Sequence, residues 1–391
     1  MRRLRHSIIV GLLVLTGCNT IEHRSETITK EPLTPIQEPR IKPLELWSNS
    51  KSSGVGNSDA KLSVAVSGSS VVVADYKGKL FALNKQTGRL IWQAATKKMI
   101  TAGPSIVGDR VFVGTADGFI LAYQFSDGHF LYQTDVTGAV LAAPRGNNDA
   151  IFVHASNGSL LSLNPLNGEI QWRFSMQTPP LMLRRHSSPV LWNNLVLVGF
   201  ANGKLVALDR REGTLEWEKE IAISKGRSDI QRMVDISADP VIKDNIVYAV
   251  SYQGQLAALE IQTGNSLWQK DFSSNTGIVV AKKALFLTDP RGEIWSLNRN
   301  SGKEIWKQKG LTGRELTAPV IWNDYVIVGD SDGYLHWVSQ QDGSFLGRVK
   351  LDSKGLEASP VIVDDVIYVL GRSGKVFALK GLLSQQLSKG G

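Results

Sequence analysis

Cysteine is almost absent from this chain: Cys18 is the single one in 391 residues. One thiol excludes an intrachain disulfide, a cysteine-cluster metal site and a C-x-x-C-H haem attachment. Histidine is scarce too. His6, His23, His129, His154, His186 and His336 form no H-x-H or H-x-x-x-H pair, so the spacing that brings two imidazoles to one metal is missing. There is no G-x-S-x-G elbow and no phosphate loop ahead of a helix. No stretch carries the 3.6-residue period of a long helix. The apolar run at residues 8–15, IIVGLLVL, falls well short of the roughly 20 residues that span a bilayer. Excess charge of one sign is lacking as well. The formal net charge is +8, and Arg2, Arg3 and Arg5 carry three of those charges. That is too mild and too dispersed for a dedicated nucleic-acid binder, so no nucleic-acid partner is expected. With 42% hydrophobic and 20% charged residues, the composition is that of a globular chain.

The basic start, the short apolar run and Leu15-Thr16-Gly17-Cys18 resemble the leader and lipobox of bacterial lipoproteins. The chemistry needs small residues before the cut and a thiol at the new N-terminus to carry lipid. Residues 1–17 are therefore expected to be a signal peptide and Cys18 the lipidated residue, with multiple acyl chains giving stable anchoring. Asn19, not Asp, follows Cys18. Under the enterobacterial sorting rule this implies the outer membrane, on its periplasmic face. Residues 18–43 hold Pro32, Pro35, Pro39 and Pro43 among polar residues. They read as a flexible tether that cannot bury a core.

From residue 44 one unit repeats. The pattern is Gly-x-aliphatic-x-x-Leu-x-x-x-x-Gly-x-x-x-Trp, and the copies open at Gly78, Gly118, Gly158, Gly203, Gly254, Gly292, Gly333 and Gly374. Within a copy the apolar period is two, broken by Asn, Asp and Gly turns. Four short strands in about 40 residues form an antiparallel propeller blade. Eight copies predict an all-β, eight-bladed β-propeller over residues 44–381, followed by a C-terminal tail at 382–391. The eighth copy runs out before its fourth strand. The lone strand around Trp47 fits as that missing outer strand, closing the ring.

The motif Leu-Asn-x-x-Thr-Gly-x-x-x-Trp, as in Leu83 to Trp92, resembles the tryptophan-docking repeat of pyrroloquinoline-quinone enzymes. That repeat also occurs in propellers without catalysis. The chain lacks the disulfide, haem motif and ligand pairs associated with the enzymes, so no cofactor is expected. Lipobox, proline-bearing segment and eight blades together are similar to the BamB family, lipoproteins of the β-barrel assembly machine in bacterial outer membranes. The segments Val328-Gly-Asp-Ser-Asp-Gly-Tyr-Leu-His-Trp337 and Leu181-Met-Leu-Arg184 resemble a characteristic blade and loop of that family.

From closing aromatic to next opening glycine, ordinary copies take 24 to 27 residues, but Trp172 to Gly203 takes 31 and Trp217 to Gly254 takes 37. Both insertions follow an outer strand, so both emerge on one face, where binding surfaces often lie. The first, at 176–187, sets Leu181, Met182 and Leu183 beside Arg184 and Arg185. Two arrangements fit this composition: an exposed interface anchor, or leucines folded inward beneath a solvated arginine rim. The family resemblance favours the anchor. It implies that Leu181, Leu183, Arg184 and Asp235 contact a POTRA domain of BamA. The family's second acid is replaced by Ser237. The resemblance further implies a non-enzymatic scaffold that aids barrel insertion, with nascent outer-membrane proteins as further partners. Two other readings stay open on residues alone: a glycan- or peptide-binding propeller, and a quinoprotein dehydrogenase.

Overall fold

The computed structural model describes residues 28–56, 60–183, 185–223, 228 and 232–383. Cys18 and residues 384–391 of the expected 382–391 tail lie outside the described residues; Leu382 and Leu383 belong to the strand Val376–Leu383, so the ring runs two residues further than expected. The described chain folds into eight antiparallel sheets, one per repeat, arranged as an eight-bladed β-propeller. Blade 1 shows the common plan: strands Val64–Ser67, Ser70–Ala74, Lys79–Asn84 and Leu90–Ala95, each paired with the next. The two middle strands are almost wholly apolar and buried, because both their faces pack against neighbouring blades.

The repeat motif explains itself in the turn before each outer strand. Asn84 Oδ1 accepts the backbone N–H groups of Gln86 and Thr87 and the Thr87 hydroxyl, at 2.9 to 3.0 Å. Gly88 then takes φ +67°, a left-handed geometry natural to glycine. Glycine is needed there for a second reason. A Cβ on Gly88 would come within 2.5 Å of Cε3 of Trp47, which belongs to the preceding blade. Trp47 Nε1 donates to the carbonyl of Lys85 in the same turn, at 2.9 Å. Trp92, Trp172, Trp217, Trp268 and Trp306 repeat the arrangement on Phe125, Arg210, Ile261, Arg299 and Gln340, at 2.9 to 3.1 Å. Tyr132 substitutes by donating its hydroxyl to Pro165. Each aromatic thus buries its ring against the next blade and satisfies its one donor there.

The ring closes as the repeat count requires. Strand Ile41–Asn49 pairs antiparallel with Val376–Leu383 and completes blade 8, from Ile41 opposite Leu383 to Asn49 opposite Val376. The irregular seventh copy follows from this closure. Blade 8 has no turn before its outer strand, because that strand arrives from the other end of the chain. No docking aromatic is needed opposite it, and Gly347 stands in that place. A Cβ there would lie 2.9 Å from Ile41 Cβ, so the first residue of the closing strand fills the space.

Two features depart from the expectation. Blade 2 has five strands, not four: Lys61–Leu62 pairs in parallel with Ala102 and Gly103 at its inner edge. The segment expected to be free up to residue 43 is held over much of its described part. Its backbone follows the outer edge of blade 7: Glu31 N–H donates to Thr312 O and Arg40 N–H to Leu346 O, both at 2.9 Å. Leu33 packs into the core shared by blades 6 and 7. This strap joins Ile41, which is itself buried.

Candidate partner-docking site

Each connection from an outer strand to the next blade begins beside the turn between the two middle strands. Met176 N–H donates to Gly158 O, and Ile221 N–H to Gly203 O, both at 2.9 Å. Both long insertions therefore rise on the same face, hereafter the loop face. The ends of the first insertion are riveted down. His186 and Ser187 are buried. Ser187 O accepts from Nδ1–H of His154 at 3.0 Å, and the two imidazoles meet edge to face at 5.0 Å. Burial drives both rings toward the neutral form: His154 falls to about 4 and His186 to about 3. They are structural side chains.

The middle of the insertion stands out. Leu181 is 39% exposed, while Met182 and Leu183 are half-buried. Arg184 lies outside the described residues. Arg185 turns inward and pairs with Glu357, on the far side of the central channel. The second insertion is described over 221–223, 228 and 232–239; the intervening residues lie outside the described set. Its returning limb is buried from Val234 to Ala238.

Asp235 joins the two insertions. Its carbonyl accepts from Tyr252 N–H at 2.8 Å, and its Oδ2 accepts from Leu183 N–H at 3.1 Å. The side chain is 2% exposed. Burial pushes its pKa up to about 7, opposed only in part by the Leu183 hydrogen bond. Asp235 is thus placed beneath the apolar loop, holding its backbone, instead of at the surface. Ser237 is buried as well.

A second tie lies deeper. Asp239 Oδ1 accepts from Ser188 N–H at 2.7 Å and from Lys61 Nζ at 2.6 Å. Lys61 also reaches His186 O at 3.2 Å. The extra strand in blade 2 therefore delivers a cation into the channel, where it ties both insertions together. Lys61, Arg145, Arg185, Asp239 and Glu357 line a cavity of about 300 Å³. Apart from Arg185, sequence reasoning missed these residues. A signal was present: Trp47 to Gly78 also takes 31 residues, and that long connection carries Lys61. Among the described residues no three His, Cys, Asp or Glu side chains gather to hold a metal ion.

A family model described as outer membrane protein assembly factor BamB matches residues 44–133 and 82–308. The chain is similar to the outer membrane protein assembly factor BamB of Alkalilimnicola ehrlichii, with 45% identity over 86% of this chain and 88% of that one. The chain belongs to the BamB family. Among solved structures, BamB from Moraxella catarrhalis superposes with a TM-score of 0.80 over 87% of this chain and all of that one, at 24% identity. A quinohemoprotein alcohol dehydrogenase from Comamonas testosteroni superposes with a TM-score of 0.71 over 86% of this chain and 76% of its own, at 13% identity. These last two likenesses speak for the fold alone. The eight-bladed ring is common to a BamB and a dehydrogenase, so the ring by itself does not tell the two apart.

Proposed function

We propose that this outer membrane protein assembly factor works as a non-enzymatic adaptor of the barrel-assembly complex, docking its loop face on a POTRA domain of BamA. The observation that carries the reading is the pair of insertions locked together through Asp235. Their tie holds Leu181 at the surface with Leu183 half-buried beside it. Apolar anchors on a rigid mount lose little conformational entropy on binding. Arg184, next to Leu183, supplies a charge that docking buries against an acidic group of the partner. In this reading Leu181, Leu183 and Arg184 touch the partner and Asp235 positions them. Residues 1–17 are removed as a signal peptide, and lipid on Cys18 fixes the chain to the periplasmic face of the outer membrane. Nascent outer-membrane proteins are further partners of the assembled complex in this reading.

The test is binding of the chain from residue 19 onward to the purified POTRA domains of its own BamA, beside Arg184→Glu. Removing one partner of a buried interfacial charge pair costs about 2–5 kcal/mol, or roughly 30-fold to several thousand-fold in affinity. Saturable binding that Arg184→Glu abolishes is the expected result. Binding indifferent to the substitution moves the site. No binding at all removes the proposal and favours a glycan or peptide ligand in the channel.

A further inference from the structure

The first insertion does not fix its own shape. Among the described residues, none from 177 to 187 takes part in a backbone–backbone hydrogen bond. A loop of that kind takes its conformation from the groups that reach it from elsewhere. Its returning limb is met repeatedly between Leu183 and Ser188. Asp235 takes Leu183 N–H, Glu357 pairs with Arg185, Lys61 reaches His186 O, and Asp239 takes Ser188 N–H. Asp235 and Asp239 belong to the second insertion, which is itself a loop. Lys61 and Glu357 come from outside both insertions.

These two side chains stand on fixed backbone. Lys61 lies between buried Ala60 and Leu62, and its strand is paired with Ala102 and Gly103. Upstream of it the chain is wedged between blades 8 and 1. A Cβ on Gly54 would lie 2.2 Å from Arg372 O, and Tyr76 N–H donates to Gly54 O at 3.0 Å. Glu357 follows buried Leu356, which bridges to Gly371 and donates its N–H to Asp330 O at 2.9 Å. Arg372 Nε stands 3.6 Å from Glu357 Oε2, the carboxylate's second oxygen. Both residues therefore stand beside the closing seam, Glu357 in blade 8 and Lys61 on the connection from the closing strand to blade 1. They face the first insertion across the channel.

We infer that Lys61 and Glu357 are positioning residues for docking: acting across the channel, they brace the first insertion in the form that leaves Leu181 exposed. The inference rests on the docking reading above. Neither residue meets the partner; each acts through the limb from Leu183 to Ser188. An isolated, partly exposed ion pair contributes little. Lys61 does more because its Nζ is shared between Asp239 and a main-chain carbonyl, while the same carboxylate oxygen takes Ser188 N–H. One ammonium thus fixes main chain of the first insertion directly and ties it to the second. Burial alone would raise the Asp239 carboxyl, but Lys61, the Ser188 N–H and Arg145 bring it below its ordinary range.

The test uses the chain from residue 19 onward, whose described ring closes through Ile41–Asn49 and Val376–Leu383. Lys61→Met and Glu357→Gln each remove one brace, and Lys61→Arg keeps the charge. Lys85→Met is the control: it removes the pair with Asp364, which joins blades 1 and 8 on the opposite face and reaches neither insertion. Three quantities are measured for each protein: amide hydrogen exchange across 176–190, affinity for the POTRA domains, and stability in urea. Both brace variants should exchange faster across 176–190 and bind more weakly, on the order of tenfold. Lys61→Arg should restore both properties, and Lys85→Met should leave both unchanged whatever stability it loses. Unchanged exchange in both brace variants overturns the inference. Faster exchange with undiminished binding overturns it too, as does an equal loss of affinity in Lys85→Met. Wild-type protein that binds no POTRA domain removes the partner reading. Exchange needs no partner, and it then decides alone whether the two residues brace the insertion.

Discussion

Asp235→Asn separates a positioning role from a contact role, because the amide has the shape of the protonated acid. It keeps an oxygen for Leu183 N–H and removes a buried charge. The carboxyl's pKa rises from 3.8 to about 7 on folding. A group raised in this way lends its full stability below pH 3.8, and that contribution is lost as pH climbs through 7. At about 1.4 kcal/mol per tenfold, the whole interval is worth about 4 kcal/mol. The wild-type ring should therefore weaken from pH 5 to pH 8 relative to Asp235→Asn, and the variant should be the more stable at pH 8. Urea unfolding of both proteins at the two pH values measures this directly. A wild-type-minus-variant difference that does not change between pH 5 and 8 would refute the burial argument. Asp235→Ala leaves Leu183 N–H without its acceptor and should lose partner affinity even though Asp235 touches no partner. Unaltered affinity in Asp235→Ala would show that the loop needs no such tie.

Gly128→Ala places a Cβ within 2.4 Å of the Trp92 ring at a φ of +76°; a destabilisation of about 1–3 kcal/mol is expected by urea unfolding. Trp217→Phe keeps the ring but loses the bond to Ile261 O, for about 1 kcal/mol, while Trp217→Ala should cost about 3–5 kcal/mol; similar losses in the two would contradict the docking account. Arg348→Ala frees the strap at Thr34. Limited trypsin digestion after Arg40 should accelerate in that variant, and the ring itself should lose about 1–3 kcal/mol, because buried His336 Nδ1 is left without its donor.

The fold was legible because its information is local. The Asn84 and Gly88 turn chemistry and the Trp spacing recur every blade, and each turn needs only its own few residues. Gly347 occupies the aromatic position of the seventh copy, but the cause is not legible there, since Ile41 lies far away in sequence. The extra strand escaped notice because two residues, Lys61 and Leu62, show no period. The site was half legible. Spacing marked both insertions and composition marked the leucines. Nothing in the sequence distinguishes a buried Asp235 from an exposed one, and the Lys61–Asp239 pair spans 178 positions. The strap was misjudged for a physical reason: its attachment runs through backbone groups held by Arg314 and Arg348, and composition records only side chains.

Closure by the N-terminal strand also sets an order of events. Ile41–Asn49 is among the first parts of the ring to be made, yet its partner Val376–Leu383 is the last. Seven blades can form hairpin by hairpin while the chain is still arriving, but the final seam must wait for the end of synthesis. Until then two β edges stand open, and the pairing that seals them has nearly the greatest sequence separation this chain allows. A chain cut short between Trp306 and Val376 has every docking tryptophan and still cannot become a ring. For such a protein, delivery of the last few residues is the step that ends its exposure to aggregation.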